Sequence, residues 1–182
     1  MTSLASLGSI DHTPVPLEAE IGKLRELARQ GEYSAALEGA VGRLRDFPEN
    51  RDLLLTEASA LRHLGRIDDA LESLARLEGL QPRFSLMHQE RGLCHIARKD
   101  ATAAISSLLT AVNLNPALPM AWRMLDGVYR LTGDLANAET AAAHVATLRA
   151  LPAEVVTATS LFSDGELAEA ERIVRAFLLA QG

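Results

Sequence analysis

The chain has 182 residues, 48% of them hydrophobic and 23% charged, which excludes a disordered tail and suits one globular domain. Its formal charge of −6 excludes bulk binding to nucleic acid, which needs a basic field. Aromatic residues make up only 4%, so the core rests on Ala, Leu, Val and Ile, and an all-α fold is expected.

The opening stretch "MTSLASLGSIDHTPVP" lacks a basic region followed by an apolar run, so it is not a secretory signal. Residues 1–16 read as an extended leading segment punctuated by Pro14 and Pro16. No window approaches the ~18 uncharged apolar residues of a membrane span. The lone Cys94 excludes an internal disulfide and fits a reducing compartment, so a cytoplasmic location is expected.

From residue 17 onward the chain repeats. Ala36, Ala70, Ala104 and Ala138 stand 34 residues apart, and Ala170 follows after 32. Five positions before each alanine stand Gly31, Gly65, Lys99, Gly133 and Gly165. Pro48, Pro82 and Pro116 keep the same 34-residue period. Three kinds of position sharing one period identify a repeat protein.

Each unit reads as two helices, A and B, expected at 18–30/33–46, 51–64/67–79, 85–98/101–113, 119–131/135–149 and 152–163/166–180. The units fall near 17–50, 51–84, 85–118, 119–150 and 151–182, within one domain spanning 17–182. Glycine supplies the positive φ that ends helix A. An acidic residue often follows (Glu32, Asp100, Asp134, Glu166), suited to the positive start of helix B. The alanine marks where helices A and B approach too closely for a larger side chain. Ala138→Leu is therefore expected to cost more stability than Ala141→Leu. Trp122, Leu125 and Tyr129 form the apolar seam of the fourth helix A, and proline closes a unit because it cannot continue a helix. The fourth unit lacks that proline; Pro152 instead opens the next helix and shortens the spacing.

In "WRMLDGVY", followed by Gly133, Ala138 and the 34-residue period, the chain resembles the tetratricopeptide repeat (TPR) family. "HQERGLCH" keeps Gly92 and places His88 and His95 in the aromatic slots. The resemblance covers residues 17–182 and implies a right-handed α-solenoid of about five repeats, with helix A lining the concave face. More narrowly, residues 144–178 resemble a segment of bacterial proteins that join a TPR array to a C-terminal sulfotransferase domain. That narrower likeness implies a sulfate-donating cofactor in a domain this chain lacks, and no residue here matches its site.

Catalysis is not expected. His88 and His95 share a helix face but Cys94 points about 100° away from His95, which leaves too few ligands for zinc. No nucleophile elbow is present, and no strand precedes a glycine-rich phosphate loop. No cofactor or metal is expected.

Recognition of a protein or peptide is the function these residues suggest. Candidate groove residues are Arg25, Arg29, Arg62, His63, Gln89, Arg123 and Arg130, with Asp52, Ser59, Leu93 and Met120 beside them. Their excess of arginine points to an acidic or C-terminal peptide. The lysine and asparagine of the family's carboxylate clamp are missing: those slots hold Ile21, Arg25, Thr56, Leu86 and Glu90. The last helix carries Val174, Phe177 and Leu178 where a further unit would pack, which suggests a homodimer or continuation into a longer protein. The chain thus reads as a non-catalytic scaffold. The alternatives are the N-terminal arm of a larger sulfotransferase and a small secretion chaperone.

Overall fold

The computed structural model describes residues 16–181. Ten helices, and no strand among the described residues, make up the fold. They are α1 (Leu17–Arg29), α2 (Tyr33–Leu44), α3 (Arg51–His63), α4 (Ile67–Leu80), α5 (Ser85–Ala97), α6 (Ala101–Leu114), α7 (Pro119–Thr132), α8 (Leu135–Ala150), α9 (Ala153–Ser163) and α10 (Leu167–Gln181). None of these helices is long and apolar enough to cross a membrane.

The turn inside each pair is the same device five times. Gly31, Gly65, Gly133 and Gly165 adopt φ of 88°, 78°, 80° and 82°. The backbone N–H after each reaches back over the turn, as in Glu32 to the Leu27 carbonyl and Arg66 to the Leu61 carbonyl, both at 2.9 Å. The third pair makes the same bond, from Asp100 N–H to the His95 carbonyl at 3.0 Å, although its turn residue is Lys99, held at φ 60°. A side chain at this φ is strained because its Cβ crowds the following carbonyl. Asp100 and Asp134 then cap the next helix by accepting the N–H of Ala103 at 3.0 Å and of Asn137 at 3.2 Å.

Close packing follows from these turns. Ala36, Ala70, Ala104 and Ala138 are fully buried where the two helices of a pair cross. Gly92 on α5 is needed for the same reason, since a Cβ there would lie 2.6 Å from Leu108 Cγ on α6. Ala141 is also buried, which corrects the expected contrast with Ala138: both alanines face the interior, three residues apart on one stripe of α8. Leu125 and Tyr129 are buried, while Trp122 is only half-buried. The Trp122 ring stacks on His144 of α8 at 3.9 Å and donates its N–H to the Pro116 carbonyl at 2.9 Å. His88, one repeat earlier, pairs its Nε2 with the Pro82 carbonyl at 2.8 Å. A histidine in a tryptophan slot is explained by that shared ring N–H, given to a proline carbonyl six residues back.

Successive odd-numbered helices from α1 to α7 touch one another, whereas the even-numbered ones pack chiefly on odd-numbered neighbours. The array therefore curves with α1, α3, α5 and α7 on its inner side. Two apolar cores run through it, one around Leu53, Leu54, Leu74, Leu77 and Met87, the other around Leu108, Leu125 and Tyr129.

The fifth pair departs from the stack. Neither core includes a residue of α9 or α10, and α9 packs on α10 rather than on α8. Earlier pairs are joined by four to six residues, but only Leu151 and Pro152, both extended, separate α8 from α9. With this shorter link α9 lies off α8, and the end of α9 with the α9–α10 turn meets the edge formed by the starts of α3 and α5 and the α6–α7 loop.

Candidate functional site

Along the inner face, residues one repeat apart line up in rows. Ile21, Leu55, Gln89 and Arg123 form one row, Asp52, Leu86 and Met120 another, and Arg25, Ser59 and Leu93 a third. Between α1, α3 and α5 this face holds a groove of about 240 Å³ lined by Arg25, Leu55, Thr56, Ser59, Leu86 and Gln89. Leucines give the groove an apolar floor. Gln89 adds a polar point, because its buried Oε1 accepts no hydrogen bond. A buried acceptor in that state costs stability.

The expected excess of positive charge is corrected by the structure. Arg25 binds Asp52 at 2.7 Å, Arg29 binds Glu26 at 2.7 Å, Arg62 binds Glu90 at 2.5 Å and Arg130 binds Asp126 at 2.7 Å. Arg29 and Arg130 thus pair along their own helices, while Arg25 and Arg62 reach the next odd-numbered helix. Pairing with Arg29 and Gln30 pulls the Glu26 carboxyl down to about 2. Arg123 makes no ion pair among the described residues; its guanidinium lies 3.9 Å from Met120 Sδ. His63 turns away from the groove, stacking on Tyr33 at 4.1 Å with its Nε2 3.0 Å from the Arg62 guanidinium. Burial, then the nearby Arg62 charge, lowers its pKa. Arg25, paired with Asp52, and Gln89 thus line the groove with leucines between them. Arg123 lies one repeat further along the inner face without a carboxylate among the described residues, and Arg29, Arg62 and Arg130 are held by carboxylates.

Cys94 is buried, and desolvation pushes its thiol up to about 12, far from a reactive thiolate. Among the described residues no three His, Cys, Asp or Glu side chains gather as metal ligands.

A second constellation has no counterpart in the sequence reading. The α9–α10 turn is clasped to the edge of the array by polar groups. Asp164 accepts the Ser85 backbone N–H at 3.0 Å and its hydroxyl at 2.7 Å, capping α5 from 79 residues away. The fully buried Asn115 holds Nδ2 2.9 Å from Ser160 Oγ, 3.0 Å from the Ser160 carbonyl and 3.1 Å from Asp164 Oδ2, oxygens that share its two N–H groups. Arg51 gives a hydrogen bond to the Asp164 carbonyl at 3.2 Å, forms an ion pair with Glu166 and lies over the Phe84 ring at 4.7 Å. Glu166, expected to serve the start of its own helix, is used for docking instead. Only the coincidence of Arg51 and Ser85 at one repeat position hinted at this edge.

The clasp leaves the groove between α9 and α10 open. It measures about 850 Å³ and is lined by Val155, Phe162, Leu167, Val174, Phe177 and Leu178. The predicted terminal residues Val174, Phe177 and Leu178 thus line a groove on the folded-back pair, not the end of a continuing stack.

The architecture is an α-solenoid of stacked helix pairs, and solved structures of TPR proteins share it. The thermophilic TPR protein TTC0263 of Thermus thermophilus is similar with a TM-score of 0.66 and 23% identity, covering 86% of this chain and 87% of that one. MamA is similar with a TM-score of 0.60 and 21% identity, covering 87% of each chain. The first TPR of Spaghetti (RPAP3), solved with the HSP90 peptide SRMEEVD, is similar with a TM-score of 0.58 and 19% identity, covering 64% of this chain and 92% of that one. These likenesses establish the fold. No family model and no curated protein matches the sequence.

Proposed function

We propose that residues 17–182 form a protein-binding scaffold whose inner face holds an extended peptide. One observation carries the reading: between α1, α3 and α5 the inner face holds a groove of about 240 Å³ floored by Leu55 and Leu86 and edged by Arg25 and Gln89. A peptide laid there sets an apolar side chain against the leucines. Arg123, free of carboxylate partners among the described residues, offers its guanidinium to an acidic side chain or a C-terminus further along. The peptide complex of the RPAP3 repeat supports a peptide as the class of partner. The mechanism is display on pre-ordered helices, so little ordering entropy opposes binding.

The buried Cys94 is compatible with a reducing, cytoplasmic setting. The sulfotransferase-arm reading is supported by the resemblance of residues 144–178, and the secretion-chaperone reading by size and acidity. The groove favours the scaffold.

Selection from a random peptide library on wild-type protein and on Leu86→Glu tests this. Wild type should enrich a motif with an apolar residue, and Leu86→Glu should bind it at least about tenfold more weakly, ~1.4 kcal/mol. Arg123→Glu should weaken only peptides with an acidic residue or free C-terminus. Enrichment of the same peptides by wild type and Leu86→Glu would overturn the proposal.

A further inference from the structure

The groove between α9 and α10 has no partner within the described chain. Phe162 is 66% exposed, Leu167 58% and Leu178 62%. With Val155, Val174 and Phe177 they line one continuous apolar groove, and an exposed apolar surface of this kind marks an interaction site. The clasp at Ser160, Asp164 and Glu166 holds the pair by its turn and leaves this groove uncovered.

The charges on the groove indicate what covers it. Glu154 at the start of α9 lines it together with Glu171 and Arg175 of α10, the last two an exposed pair at 2.6 Å. A lipid surface would call for a basic rim, and an acidic or basic peptide for a rim of one sign. Here two carboxylates and one guanidinium share the groove, so a second copy turned about a two-fold axis sets the arginine of each copy beside a carboxylate of the other, as an isologous dimer requires.

We propose that a second copy of this chain fills the groove, with the two α10 helices antiparallel about the Arg172–Ile173 step. In this arrangement Leu167 of each copy meets Leu178 of the other, and Arg175 comes beside Glu171 of the other. Phe162 of α9 closes the side of the seam. The dimer joins two arrays through their folded-back pairs and leaves both inner grooves free, so it presents two binding faces at once.

Sedimentation equilibrium of the full chain at about 100 µM, well above the Kd of a standard-sized interface, reads the outcome directly. Wild type should show twice the chain mass of 19.6 kDa. Leu178→Glu and Arg175→Glu should each give the single-chain mass with unchanged helical circular dichroism. The double exchange Glu171→Arg with Arg175→Glu should restore the dimer, because it reverses both charges symmetrically. A wild-type monomer would overturn the proposal, and a Leu178→Cys variant whose thiol becomes labelled only after residues 1–15 are removed would overturn it by assigning the groove to the chain's own start. A dimer indifferent to both single substitutions would place the interface elsewhere and overturn it equally.

Discussion

Removing the Asp164 carboxylate should release the folded-back pair. Asp164 accepts from the Ser85 N–H, the Ser85 hydroxyl and Asn115 Nδ2, at 3.0, 2.7 and 3.1 Å. A hydrogen bond to a charged acceptor contributes about 1.5–3 kcal/mol, and a helix cap about 0.5–2 kcal/mol. Both figures describe the same carboxylate, so they overlap and are not summed. Asn115 keeps Ser160 as an acceptor, so Asp164→Ala does not leave it bare. The expected loss is ~2–3 kcal/mol of docking free energy, a roughly 30- to 150-fold rise in opening. Amide exchange at Ser85 is the assay, because that N–H is shielded by Asp164. Arg51→Ala is the companion variant: it removes the ion pair to Glu166 and the bond to the Asp164 carbonyl without touching Ser85. Exchange at Ser85 should accelerate in both variants and by less in Asp164→Asn, which keeps an acceptor of the same shape. If Asp164→Ala accelerates Ser85 and Arg51→Ala leaves it within about twofold of wild type, the carboxylate is a local cap only, and the docking argument fails.

Three further outcomes follow from the same geometry. Lys99→Gly should stabilise the protein by about 1 kcal/mol in chemical denaturation, since it relieves a side chain at φ 60° that four equivalent turns give to glycine; a loss of stability would mean that the Lys99 side chain holds the turn. Ala138→Leu should cost roughly 1–3 kcal/mol by overpacking the α7–α8 crossing, while Ala143→Leu on the exposed face of the same helix should cost little; equal shifts in Tm would refute the crossing argument. The folded pKa of His63 is lowered from 6.5, so the unfolded state takes up its proton first as pH falls. Stability should therefore decline as pH drops through about 6.5 and level off below the folded pKa, and His63→Gln should flatten this part of the Tm profile between pH 8 and 5.

Much of the fold was legible because a repeat states its own structure several times. The 34-residue period of Ala36, Ala70, Ala104 and Ala138 located both helices of each pair, and the glycines located the turns to within one or two residues. Even Lys99 obeyed the register, because the same 6→1 hydrogen bond forms around it. The candidate groove was less legible. Sequence placed Arg25, Arg62 and Arg123 on the inner face, but it could not show that Glu90 lies against Arg62 from the next helix, 28 residues on.

By itself the sequence determined what each helix pair is: its length, its turn, its crossing alanine and the face it buries. These depend on contacts within about one repeat, where chain connectivity leaves few alternatives. Tertiary structure alone decided where the last pair goes and which charges remain unpaired. Past the two-residue link at Leu151–Pro152, α9 lies off α8. The polar groups that then hold it, Arg51, Ser85 and Asn115, come from three different junctions and meet Asp164 only because the curved array brings them to one edge. Such contacts follow no period, since each is made once, between residues 45 to 113 positions apart.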